Sequence, residues 1–227
     1  MRVIDYGSGT GSFSEAFVIL GHTVLRIDIN EKFKDVRFTK ISDVLDDELI
    51  ETIKRFNPDV ALGSPPCTTF SRGSIGTYWG GGNKAYIPKN QKSRDGITLA
   101  KRFKQLCQMS KIYFIENPVG LLSKMNFMQD IPMYEIWYCK YFDKVAKPTN
   151  IWSNSKLWKP RPICRNINKK QRLGLELLHC HHESAQRGAK TGTQGKKNAT
   201  DRGMIPYQLS LEIALACEEE LTQSRLM

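Results

Sequence analysis

The sequence predicts an α/β fold, an open sheet with a ligand crevice at the carboxyl ends of its strands and a small irregular insertion near the end of the chain. Three observations predict it. Short apolar runs with strand character alternate with stretches that carry apolar residues at helical spacing. Gly7, Gly9 and Gly11 stand at alternate positions between a strand and a helix, where a ligand can approach the backbone at the helix N-terminus. Gly63-Ser64-Pro65-Pro66-Cys67 follows the apolar run Asp59-Val60-Ala61-Leu62, so a cysteine with little backbone freedom is aimed into the same crevice.

Taken in order, Arg2-Val3-Ile4-Asp5 is the first strand, and a helix starts near Phe13. The spacing Gly-x-Gly-x-Gly lacks the extra residue of the dinucleotide fingerprint, which makes a nicotinamide dinucleotide the weaker reading of a nucleotide-like cofactor site. Thr23-Val24-Leu25-Arg26-Ile27 is a second strand, ending in Asp28, where an acid is placed to accept from ribose hydroxyls. Val36-Arg37-Phe38 reads as a third strand. Asp43 could then accept from an exocyclic amine such as adenine's, or equally cap a helix from Asp46 to Phe56.

Cys67 reads as a nucleophile, the alternative being a small buried hydrophobe. From Thr68 to Arg94 the chain is polar, glycine-rich and without periodicity, and it interleaves Tyr78, Trp79 and Tyr86 with Lys84, Lys89, Lys92 and Arg94. That composition suits a lid over bases and phosphates. Asp95 to Ser110 reads as an amphipathic helix feeding the strand Ile112-Tyr113-Phe114-Ile115, which ends in Glu116-Asn117-Pro118. A carboxyl group beside the strand that presents Cys67 would share its crevice and could hold or hand over a proton.

Strand-like patterns recur from Tyr134 to Tyr141 and around Ile151-Trp152. From about Ser155 to Thr200 the α/β rhythm stops, and prolines, clustered cations and the glycine-punctuated run Arg187 to Lys197 mark an insertion suited to nucleic acid. Cys164, Cys180 and His181 lie within it and could supply zinc ligands, but their spacing is not that of a standard finger, and a site without metal is the stronger reading. Ile205-Pro206 opens a last helix running through Glu220.

A formal charge of +11 on 227 residues points to a polyanionic partner, with nucleic acid the first candidate. A membrane surface fits less well, because no long basic amphipathic helix and no bilayer-length apolar run is present. Met1 leads directly into a strand without a signal peptide, so the expectation is a cytoplasmic monomer whose six cysteines stay reduced.

Asp5-x-Gly-x-Gly-x-Gly, Asp28, Asp43, Pro-Pro-Cys67 and Glu116-Asn-Pro occur in the order found in the cytosine-5 DNA methyltransferase family. The chain resembles the short members encoded by phages, to which Lys147-Pro-Thr-Asn-Ile-Trp152 and the Arg187 to Lys197 loop are also similar. The resemblance implies a Rossmann-like S-adenosylmethionine-dependent sheet, with a catalytic domain over 1–154, a target-recognition region over 155–201 and a returning helix over 202–227. It implies S-adenosylmethionine held by Asp5, Gly7, Gly9, Gly11, Phe13, Asp28, Ile29, Asp43, Val44, Pro65 and Ile205, with Asp28 on the ribose and Asp43 on the adenine. Cys67, after Pro66, would attack carbon 6 of a cytosine flipped from double-stranded DNA, with Glu116 on ring nitrogen 3 and Asn117 positioning the loop.

Ser71, Arg72, Arg94, Arg187, Lys190, Lys196 and Lys197 would hold the DNA. The setting implied is the cytoplasm of a bacterial host, for a virus-encoded or restriction-modification enzyme. Two departures stand out. The family's Gln-x-Arg-x-Arg strand is absent, so the cation that helps hold the base is Lys147 or comes from elsewhere. The Gly-Asn before the family's last motif is also missing, with Arg202-Gly203 near that place. The alternatives are the same chemistry on RNA, or a catalytically silent relative that binds DNA.

Overall fold

Apolar residues alternate along the strands, and the two sets they form are covered by two different helical layers. Val3, Val24, Leu62 and Phe114 belong to one buried cluster, and Ile4, Ile27, Ala61 and Ile115 to the other, as the two-residue period of a strand requires. The computed structural model describes residues 1–81, 86–143, 145–164 and 198–226. In chain order these form β1 (Arg2–Tyr6), α1 (Glu15–Ile19), β2 (Thr23–Asp28), β3 (Thr39–Ile41), α2 (Glu48–Phe56) and β4 (Val60–Gly63). Next come α3 (Ile75–Tyr78), β5 (Trp79–Gly80), β6 (Ile87–Pro88), α4 (Gln91–Cys107), β7 (Ile112–Pro118), β8 (Met133–Trp137), β9 (Pro148–Ser153), α5 (Ala199–Gly203) and α6 (Tyr207–Leu226).

Seven strands pair in the order β3-β2-β1-β4-β7-β9-β8. The first five run parallel, and β9 runs antiparallel to both of its neighbours. Helices α2 and α4 supply Leu49, Ile53, Ala100, Phe103 and Leu106 to one face, while α1 and α6 supply Phe17, Leu209, Ile213 and Cys217 to the other. Strand order reverses between β1 and β4, which makes their carboxyl ends the place where an open α/β sheet leaves a crevice.

Four sequence expectations are corrected. The residues 36–38 form a turn in which Phe38 is left-handed (φ 66°), so β3 begins three residues later than the apolar run suggests. The segment after Cys67 is not without structure of its own: α3 and the β5-β6 hairpin fold it back, and buried Trp79 donates its indole N–H to Thr69 O at 2.6 Å. Helix α4 starts at Gln91, not at Asp95, because Asn90 and Ser93 form a reciprocal cap, Ser93 N donating to Asn90 Oδ1 (3.0 Å) and Asn90 N to Ser93 Oγ (3.2 Å). Strand β8 stops at Trp137, and residues Tyr138–Tyr141 turn into a short 3₁₀ helix. No described helix is long and apolar enough to cross a membrane.

Candidate active site

The loops after β1, β4 and β7 meet because their strands are neighbours in register, Tyr6 opposite Gly63 and Gly63 opposite Ile115. Glycine is needed at the first junction. Gly7 has φ +66°, and a Cβ there would come within 2.7 Å of Ser64 O on the β4 loop. Gly9 and Gly11 are also left-handed, and Gly9 N donates to Asp28 Oδ2 at 2.8 Å. Asn30 N donates to Asp28 Oδ1 at 2.9 Å, which fixes this buried carboxylate at the end of β2.

Arg26 holds the glycine loop from below. Only 2% exposed, it donates through Nε to Ser14 Oγ (2.9 Å), through Nη2 to Gly11 O (2.9 Å) and Glu15 Oε2 (2.7 Å), and through Nη1 to Arg37 O (2.9 Å). Ser14 Oγ in turn donates to Asp5 Oδ2 at 2.7 Å. A charge removed from water at this depth is tolerated only when its donors are satisfied in this way.

Ser64 N donates to Tyr6 O at 2.9 Å, and the two prolines carry the chain to half-buried Cys67. Phe70 N and Ser71 N both donate to Cys67 O, at 3.0 and 2.9 Å, so the cysteine opens a tight turn. Across from it, Asn117 Nδ2 donates to Pro65 O at 2.8 Å and ties the β7 loop to the cysteine loop. Glu116 is buried, and its Oε1 accepts from Tyr138 Oη at 2.8 Å and lies 3.4 Å from Lys147 Nζ. Lys147 Nζ also donates to Arg202 O at 3.0 Å and sits 4.6 Å from the centre of the Tyr138 ring. Among the described residues both of these contacts fall on Oε1 and neither on Oε2.

Burial pushes the Cys67 thiol above its usual range, Glu116 pushes the same way, and the charges of Lys147 and Arg202 oppose them. Burial, with the adjacent Glu116, also raises Tyr138 well above an ordinary phenol, so it remains a donor. The remaining expected site residues divide. Ile29 is 65% exposed beside Asp28, whereas Phe13 (2%) and Val44 (7%) are packed into the two core clusters. Asp43 does not cap α2: its Oδ1 accepts from Leu45 N at 2.9 Å, while Asp46 Oδ1 accepts from Glu48 N at 2.9 Å. Pro65 is buried and Pro66 exposed, and Ile205 N donates to Ser12 Oγ at 2.9 Å.

Ser71 is half-buried and bridges to Gly120, and Arg72 and Arg94 are exposed, the latter on α4 and not in the loop. Arg187, Lys190, Lys196, Lys197, Cys180 and His181 lie outside the described residues. Cys164 packs in a small apolar cluster with Cys139 and Ala146, and among the described residues no group of three metal-ligating side chains occurs. Sequence reasoning missed Tyr138, which it placed in a strand, and it missed Arg26 and Arg202. A charged residue inside the apolar run of β2 was the available signal for Arg26.

A parallel-rich sheet of this order, with a glycine loop, a thiol and a carboxyl group at the carboxyl ends of its strands, is an α/β sheet of the Rossmann-like kind. Comparison with known proteins finds the following similarities. The chain is 26% identical over 229 residues to the "Probable DNA (cytosine-5)-methyltransferase" of Frog virus 3 (isolate Goorha), covering 96% of this chain and 100% of that protein. It superposes on the Entamoeba histolytica methyltransferase EhMeth with a TM-score of 0.50 at 16% identity, covering 81% of this chain and 57% of that one. A structure of Spodoptera frugiperda DNMT2 is also similar, with a TM-score of 0.42, 17% identity, and 73% and 53% of the two chains covered. No family model matches the chain.

Proposed function

We propose that this protein is an S-adenosylmethionine-dependent DNA (cytosine-5)-methyltransferase that works through a covalent Cys67 adduct. The observation that carries the reading is the meeting of Cys67, Glu116 and Lys147 at the ends of neighbouring strands, with Glu116 Oε1 held by Tyr138 and Oε2 left over. The Frog virus 3 relative supports DNA as the substrate.

The crevice after β1 fits the cofactor. Three left-handed glycines keep the loop free of side chains, the Asp28 carboxylate is held in place, and Ser8 Oγ is buried without a partner among the described residues. Asp28 would take the ribose, exposed Ile29 would lie against the adenine, and Asp43 would bind its amine. When bound there, S-adenosylmethionine supplies an electrophilic methyl group.

The protein's own residues make carbon 5 of cytosine reactive enough to accept it. Cys67 Sγ loses its proton to water or a base and bonds to carbon 6 of the ring, while the electron pair of the carbon 5–carbon 6 double bond is pushed into the ring, onto carbon 5 and toward nitrogen 3. Glu116, protonated on Oε2 or sharing a proton with the base, hydrogen-bonds ring nitrogen 3, and that bond strengthens as charge develops. Lys147 takes the part of the family's absent arginine, holding Glu116 and countering charge on the base. After methylation the proton on carbon 5 leaves to water or a base, the sulfur–carbon bond breaks and Cys67 is regenerated. The target base must be flipped from the duplex, so the 68–94 segment closes over it and the 155–201 region reads the sequence.

The test is transfer of labelled methyl from S-adenosylmethionine to unmethylated duplex DNA, with bisulfite sequencing and structured RNA as competitor. The expected result is modification at a short recurrent DNA motif, loss of transfer in Cys67→Ala by at least about a thousandfold, and cofactor binding retained in that variant. Equal loss of transfer and cofactor binding would show the site to be misassigned. Transfer to RNA alone would reassign the substrate.

A further inference from the structure

Helix α4 packs on β4 and β7, and from there its Arg102 reaches the turn that leaves the edge of the sheet. Strand β3 is three residues long and pairs with β2 alone among the described strands, so no strand holds the outer side of the 43–47 turn that follows. Arg102 supplies that hold. Its side chain is 13% exposed, and it donates through Nε to Val44 O (2.9 Å) and through Nη2 to Asp46 O (3.4 Å) and Asp47 Oδ1 (3.0 Å). Within the turn, Asp46 N donates to Asp43 O at 3.1 Å, and Leu45 N donates to Asp43 Oδ1 at 2.9 Å. The groups that Arg102 grips therefore belong to the same hydrogen-bonded turn as Asp43. The next residue of α4, Phe103, lies under the glycine loop, where its ring would come within 3.1 Å of a Cβ on Gly7. Two consecutive residues of α4 thus back the glycine loop and the turn that carries Asp43.

We propose that Arg102 is a positioning residue for the purine of the cofactor: it fixes the 43–47 turn from α4 and so holds the Asp43 carboxylate where an exocyclic amine can donate to it. The turn's own hydrogen bonds set its shape but not its place against the glycine loop. The buried Val44 side chain anchors its middle to the core, yet leaves rotation about that anchor free. Arg102 removes this freedom, because Nε and Nη2 belong to one planar fork, and bonds to Val44 O and Asp46 O fix direction as well as distance. The Asp47 contact adds little, since that carboxylate is 95% exposed. A lysine could reach one carbonyl but not hold the pair. The inference rests on the reading of S-adenosylmethionine in this crevice, and it is independent of the methyl acceptor.

The test is calorimetric titration of wild type, R102K and R102M with S-adenosylhomocysteine and with its inosine counterpart, in which a carbonyl replaces the amine. Wild type is expected to favour the adenine ligand by about tenfold or more, as a site built to hydrogen-bond a donor does. R102M should weaken adenine binding by about tenfold while changing binding of the inosine ligand by less than about twofold, so that the preference collapses. R102K should fall between the two, and it carries the test should R102M not fold. In methyl transfer the loss should appear in KM for S-adenosylmethionine, with kcat at saturation within about twofold of wild type. A preference kept in R102M, or in R102K where R102M does not fold, overturns the proposal. Equal weakening of both ligands overturns it too, being the mark of a generally loosened site, as does a wild type that binds both equally. A wild type that binds neither ligand would remove the cofactor reading, and this proposal with it.

Discussion

Asp5 lies fully buried under the glycine loop, with Oδ2 bonded to Ser14 and Oδ1 without a partner among the described residues. Burial raises its pKa from 3.8 to about 7, against the opposing Ser14 hydrogen bond and Arg26 charge. The folded protein therefore holds this proton more tightly than the unfolded chain does. By linkage, its contribution to stability declines as pH rises from about 4 to about 7 and stays reduced above that. Asp5→Asn keeps an acceptor for Ser14 and removes the charge, while Glu15 still faces Arg26. Its unfolding free energy and thermal midpoint should match wild type near pH 4 and rise above it by pH 8, the free-energy difference reaching about a few kcal/mol. A constant offset at every pH would show that Asp5 is ionised throughout.

At the scale of elements, the cysteine turn and the β7 loop are held to each other through Gly120. A Cβ on Gly120 would collide with Phe70 O, which already accepts from Leu121 N at 2.7 Å, and Ser71 bridges to Gly120 beside it. Gly120→Ala must part the two loops, leaving the sheet intact, and so should shift Cys67 relative to Glu116. The expected outcome is a fall in kcat of about tenfold to a hundredfold, the usual cost of misplacing reacting groups by about 1 Å. Far-ultraviolet circular dichroism should be unchanged, and a loss of secondary structure would assign Gly120 to folding instead. This contact was not legible in the sequence, because nothing local to Gly120 names Phe70. The strands β1, β2, β4 and β7 were legible, since their apolar runs are local signals bounded by glycine, proline or charge. The start of α4 was hidden in a polar segment, where a two-residue cap outweighed the absence of apolar spacing.

For the whole molecule, the meeting of Cys67 and Glu116 could be expected because Cys67 follows the carboxyl end of β4 and Glu116 lies in the last residues of β7, and the crevice is a property of topology. The Tyr138–Glu116–Lys147–Arg202 chain could not, since its members come from three segments separated by up to 86 positions in sequence. Charge is unevenly distributed along the chain as well. Between residues 165 and 197 eight lysines and arginines face two glutamates, so this stretch carries +6 of the net +11. If the insertion tracks the phosphates of DNA, the salt dependence of binding should follow that stretch and not the sheet. Replacing Arg187, Lys190, Lys196 and Lys197 together by glutamine should make the slope of log affinity against log salt shallower by about 3 to 4, at about 0.9 for each phosphate that is no longer neutralised. Cofactor affinity should not change, since none of the four replaced residues is among those assigned to the cofactor. Fluorescence anisotropy with a labelled duplex between 50 and 300 mM salt makes the measurement. An unaltered slope would move the phosphate contacts to the exposed cations Arg72 and Arg94, and the 165–197 stretch would then have to read base edges or serve another partner.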